Sequence, residues 1–186
     1  MDSVLLRSIV FILITLFFTV VSWRPLHNPH SHGFYRYFAF VGIAVLVLYN
    51  QPVWFDRPFS PVHILSWLML LASVVLVINS IGLLKKIGGR GERQSAPENL
   101  SFENTQNLVV DGLYKYIRHP MYTSLLFLGW GAFLKQVDIL TVVAIGVVTG
   151  ALFLTARVEE RENINFFGDD YVNYKQNSKM FIPYLF

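Results

Sequence analysis

Apolar residues run through this chain in long blocks separated by short polar breaks. Windows at roughly 4–22, 34–50, 61–84, 120–134 and 138–156 each reach or approach the ~20 residues a helix needs to cross a bilayer. The fourth is short, which suits a locally thin or protein-lined place in the membrane. The pattern predicts an all-α integral membrane protein with about five transmembrane helices, the last two forming a hairpin. The first block has no small-residue cleavage site around Val20 to Pro25 and reads as a retained helix, not a signal peptide. Beyond the last block, Ile164, Phe167, Tyr171 and Tyr174 recur at spacings of three and four. That period predicts an amphipathic helix lying against the membrane or covering a site.

Composition supports the membrane reading, with 54% hydrophobic and 15% charged residues and a mean hydropathy of +0.47. Three regions follow: scaffold helices over 1–86, a linker with a first site segment over 87–119, and the hairpin with its C-terminal segment over 120–186. With five spans, twelve of the fifteen Lys and Arg residues fall on one side, leaving Arg7, Arg57 and Lys135 on the other. By the positive-inside rule this multi-pass chain has its N-terminus outside and its C-terminus and site in the cytoplasm. No basic face is dense enough to track phosphates, so nucleic acid is not an expected partner.

There is no cysteine, which excludes disulfides and thiolate chemistry. His27, His30 and His32 sit in an irregular Pro- and Gly-containing loop and read as interfacial residues; no metal is expected. Gly88, Gly89 and Gly91 lack a preceding strand and a following GK[ST], so 87–107 reads as a basic, flexible linker, not a phosphate loop. Gly146 and Gly150 form a GxxxG that predicts close packing of the two hairpin helices.

Candidate chemistry concentrates in GLYKYIRHPMY, Gly112 to Tyr122, and in RVEERE, Arg157 to Glu162. The hairpin returns Glu159 and Glu160 to the membrane face that carries Arg118 and His119. Pro120 suits the first turn of a helix, whose unpaired N–H groups can hold a carboxylate. The two glutamates suit an amine or a ribose diol, and with Tyr114 and Tyr122 a sulfonium cation. On chemistry alone two readings stand side by side: a binding site, or positive-inside anchors with interfacial carboxylates.

NLVVDGLYKYIRHPMY, a hairpin, an EE pair, FFGDDYVNY and a closing FIP together resemble the isoprenylcysteine carboxyl methyltransferase family, whose wider relatives include phospholipid N-methyltransferases. The match covers about the last 80 residues, and the first three helices match only in kind. The resemblance implies an S-adenosylmethionine pocket closed over by the C-terminal segment and open to lipid. It implies cofactor contacts at Gln106, Asn107, Leu108, Val109, Tyr114, His119, Pro120, Met121, Tyr122 and Glu159. Gln106 replaces a common family histidine. Thr155 stands where the substrate-side arginine is usual, and Arg157 is the nearest substitute. Arg157, Glu160 and His119 are the catalytic candidates.

The implied activity is methyl transfer to a lipophilic acceptor arriving from the bilayer, of isoprenylcysteine-carboxylate, thiol or lipid type, among membrane lipids. The alternatives are a phospholipid N-methyltransferase, a sterol-type NADPH-dependent reductase and a non-enzymatic scaffold. The reductase lacks an adenosine 2′-phosphate clamp beyond Lys85, Lys86 and Arg90, and the near absence of charge in the helix centres offers a transporter no ion path.

Overall fold

The computed structural model describes residues 3–89 and 104–185. They form α1 (Ser3–Val21), α2 (Trp23–Leu26), α3 (His32–Asn50), α4 (Pro61–Ile87), α5 (Pro120–Phe133), α6 (Ile139–Phe167) and α7 (Asp169–Asn177), with 3₁₀ turns at Gln51–Val53 and Gly112–Lys115. No β-strand occurs among the described residues; one isolated parallel bridge pairs Ile117 with Lys179. The architecture is that of an all-α membrane protein. Most of the polar stretch expected as a linker, residues 90–103, lies outside the described residues.

By length and composition four helices can cross a membrane: α1, α3, α4 and α6. The fourth apolar window becomes the 14-residue α5, about 21 Å long and well short of a ~30 Å hydrocarbon core. A helix ending that early leaves carbonyls that lipid cannot satisfy. Neighbouring side chains satisfy them here. Ser66 Oγ donates to Gly131 O at 2.6 Å, Asn50 Nδ2 to Ala132 O at 2.8 Å, and His63 Nε2 to Lys135 O at 3.0 Å. The short helix is thus protein-lined at its end.

Packing pairs α5 with α4 and α6 with α3. Gly129 lets α5 approach α6: a Cβ there would lie 3.2 Å from Val148 and 3.3 Å from Ile145. The expected role of Gly146 and Gly150 is not observed. Both are exposed, with no atom within 4 Å of an added Cβ. At 100° per residue they share the outer face of α6, while Ile145, Val148, Leu152 and Ala156 form the buried one. The GxxxG therefore faces away from the hairpin.

Helix α6 opens with a reciprocal cap between Asp138 and Thr141. It runs 29 residues, about 43 Å, carrying Glu159, Glu160 and Glu162 past the window expected to end near 156. The single amphipathic helix expected over 164–174 is in fact two helices. Gly168, at φ 62° and ψ −135°, breaks the run between α6 and α7 in a conformation that side-chain-bearing residues avoid. The break turns Tyr171 and Tyr174 back over the end of the bundle.

Candidate active site

The site grows from the way the chain re-enters after α4. Gly88, the C-cap of α4, offers its carbonyl to both Gln106 N at 2.8 Å and Asn107 N at 2.9 Å. This lays Thr105 to Val109 along the helix end and buries Val109. The 3₁₀ turn then buries Tyr114, and the chain bends through Ile117 and Arg118 to His119, which caps α5 ahead of Pro120. The C-terminal segment is stitched beside it. Lys179 N donates to Tyr116 O at 3.0 Å, Arg118 N to Lys179 O at 2.7 Å, and His119 N to Met180 O at 3.2 Å.

Arg118 ties three elements together. Its Nε donates to Glu160 Oε1 at 2.7 Å, and its Nη1 to Lys175 O at 3.2 Å and to Ser178 O. Lys175 Nζ lies 2.7 Å from the other Glu160 oxygen. Two cations thus enclose one buried carboxylate.

His119 lies between the two adjacent glutamates. Its Nδ1 is 3.5 Å from Glu159 Oε2 and its Nε2 is 3.5 Å from Glu160 Oε1. The ring stacks on Tyr122 at 5.4 Å and 12° and is almost wholly buried. Burial alone would push the imidazole toward its neutral form. The two carboxylates of Glu159 and Glu160 outweigh it and hold the proton affinity above its ordinary value. Burial raises the phenols of Tyr114, Tyr171 and Tyr174 above their usual range, so they stand as neutral rings.

These elements enclose a narrow cavity of about 70 Å³ that is open at its mouth. Leu108, Val109, Tyr114, His119, Pro120, Met121, Tyr122 and Glu159 line it, as do Leu84, Thr105, Arg118, Asn163, Phe167, Tyr171 and Tyr174. Tyr174 closes one side by donating its hydroxyl to Tyr114 O at 2.6 Å.

Four sequence candidates stand elsewhere. Gln106 and Asn107 are exposed and off the wall; they fasten the segment to Gly88, with Asn107 Nδ2 also reaching Ile87 O at 3.3 Å. Glu160 is held behind the wall by Arg118 and Lys175. Arg157 is exposed, with its guanidinium over Phe153 at 5.7 Å. Two residues before Glu159 is about 200° around a helix, so Arg157 cannot share that residue's face.

Sequence reasoning missed Asn163, although it follows Glu159 by four residues on a helix that simply continues. Leu84 carried no signal at all. His32, expected as an interfacial loop residue, is instead buried in the first turn of α3. Its Nδ1 meets Glu162 Oε2 at 2.7 Å and its backbone N–H donates to Glu162 Oε1 at 3.1 Å. This joins α3 to α6 one turn beyond Glu159.

Comparison with known proteins adds to this geometry. The phospholipid methyltransferase family model matches residues 61–170. Methanethiol S-methyltransferase 1 of Bradyrhizobium diazoefficiens is 39% identical over 72 residues, covering 39% of this chain and 25% of that protein. Methanethiol S-methyltransferase of Crocosphaera subtropica is 26% identical over 132 residues, covering 68% of this chain and 47% of that protein. The enzyme of the same name from Pseudomonas deceptionensis is 32% identical over 73 residues, covering 39% of this chain and 27% of that protein. The chain thus spans between a quarter and about half the length of these curated relatives. No solved structure matches it.

Proposed function

Since the chain belongs to the phospholipid methyltransferase family, we propose that its cavity binds S-adenosylmethionine and that the protein methylates a small or lipophilic acceptor at the membrane. The observation that carries this reading is one carboxylate, Glu159, facing a cavity walled by the rings of Tyr114, Tyr122, Tyr171 and Tyr174. That donor set fits a sulfonium cation. Aromatic faces and a desolvated carboxylate attract a positive charge more strongly than water-exposed groups do. The first-turn N–H groups of α5, at Met121 and Tyr122, have no intrahelical partner and suit a carboxylate of the ligand. Glu160 acts behind the wall as a positioning residue, holding Arg118, which is part of the wall.

When bound, the donor supplies an activated methyl group. The residues of this chain hold the cation against Glu159, exclude water with Phe167 and the α7 tyrosines, and provide His119 for the acceptor's proton. A thiol is the favoured acceptor, because the curated relatives are methanethiol S-methyltransferases. A phospholipid amine is the second reading, supported by the family description. An isoprenylcysteine-type carboxylate has less support: Arg157 lies off the wall and Arg118 is engaged with Glu160. The basic residues collected at the site's end support a cytoplasmic orientation.

The test is S-adenosylmethionine binding to the protein in lipid nanodiscs, with Glu159→Ala as control. Saturable binding reduced at least about hundredfold in a folded variant supports the pocket; no binding to folded wild type rejects it. Supplying methanethiol or phosphatidylethanolamine and identifying the methylated product separates the two acceptors.

A further inference from the structure

We propose that a cation entering the cavity drives the proton off His119, so that filling the donor site and creating a base for the acceptor are one event. This rests on the methyl-donor reading above.

A neutral imidazole carries one N–H and one lone pair. His119 presents both ring nitrogens to carboxylates, Nδ1 toward Glu159 and Nε2 toward Glu160, each at 3.5 Å. A neutral ring would aim a lone pair at one of these anions. Only the imidazolium offers a proton to both, and the raised proton affinity agrees.

Charge then decides what a ligand does. From α6, Glu159 and Glu160 face the ring; from the segment before α5 comes Arg118, from its first turn Tyr122, from α7 Lys175, Tyr171 and Tyr174, and from the 3₁₀ turn Tyr114. Arg36 and the His32–Glu162 pair lie beyond Tyr122 and Glu159 on the α3 side. Glu160 already has Arg118 and Lys175, each at 2.7 Å. His119 is therefore the near counter-charge of Glu159 while the cavity holds no cation. A sulfonium against Glu159 puts two cations on one carboxylate. Their mutual repulsion in this buried site lowers the proton affinity of His119.

The neutral ring left behind suits an acceptor that arrives with its proton, such as a thiol. In the transfer the S–H bond breaks with its proton passing to His119. The new S–CH₃ bond forms as the sulfonium C–S bond breaks, its electron pair returning to the donor sulfur. The spent donor is an uncharged thioether, so the imidazolium is tolerated again and the site returns to its starting charge.

Calorimetry on the wild type in nanodiscs tests this, with buffers of different ionisation enthalpy between about pH 6 and about pH 8. The expected result is release of up to one proton per S-adenosylmethionine bound, with affinity rising as pH rises. S-adenosylhomocysteine, which lacks the positive charge, should release none. His119→Gln should bind the donor without proton release. Donor binding with no proton release at any pH, or equal release with both ligands, overturns the inference and leaves the donor pocket standing. Absence of donor binding to folded protein overturns both.

Discussion

Arg118 and Glu160 stand 42 residues apart in the chain and 2.7 Å apart in space, their side chains 7% and 2% exposed. The pair clamps the start of α5 to α6. Through the second arm of Arg118 it also holds α7 and the C-terminal segment, so the cavity's roof and floor depend on one guanidinium.

Removing one partner strands the other. Arg118→Met is expected to cost about 3–5 kcal/mol, because Glu160 stays buried with only Lys175 and the more distant His119 to compensate it. Replacing both, as Arg118→Met with Glu160→Leu, is expected to recover most of that loss, since Lys175 is part-exposed to water and His119 keeps Glu159. Thermal unfolding of the two variants in the same detergent gives the comparison. A double variant as unstable as the single one would contradict the clamp.

The stability of the donor-free protein should fall as pH rises. His119 binds its proton more tightly folded than unfolded, where an ordinary histidine titrates near 6.5. Its contribution is therefore complete below about pH 6.5 and is lost as pH climbs through the raised folded value. Wild-type Tm should decline across that window and His119→Gln should flatten the decline.

Gly150 within α6 and Gly168 just past its end should behave in opposite ways. Gly168→Ala is expected to cost about 1–3 kcal/mol through backbone strain alone, since nothing lies within 4 Å of the added carbon. The loss should appear as faster hydrogen exchange in α7. Gly150→Val, on the exposed face of α6, should stay within about 0.5 kcal/mol. A large effect there would restore an interhelical role for the GxxxG.

Asn50 is fully buried and serves the end of α5 through Ala132 O and Gln136 O. Asn50→Leu should destabilise by about 0.5–1.5 kcal/mol, the net loss of a buried hydrogen bond to Ala132 O, which keeps Lys135 N–H at 3.2 Å. Unfolding in detergent measures it, and a neutral outcome would mean that water or another donor reaches that helix end.

The apolar windows gave away the helices because bilayer-spanning length is a property of composition. The motif RHPMY gave away the start of α5 because Pro at N1 and the residue before it leave little choice of backbone. What stayed hidden depended on phase and on distant partners. Arg157 looked near Glu159 in sequence and faces elsewhere on the helix. The GxxxG named a face without saying which neighbour it would meet, and α3 claims the other side. His32 looked like loop chemistry because its partner, Glu162, lies 130 positions away. The α7 tyrosines were legible as one side of a helix, but Gly168 decides where that side turns.

The carbonyl of Gly88 receives the N–H groups of both Gln106 and Asn107, so the chain leaves α4 and comes back at the same point. Gly88 and Gln106 are thereby pinned to each other before the site begins. The end of α4 therefore sets where the first wall of the cavity stands, and a change that loosened Gly88 O from its two donors would carry Leu108 and Val109 away with it.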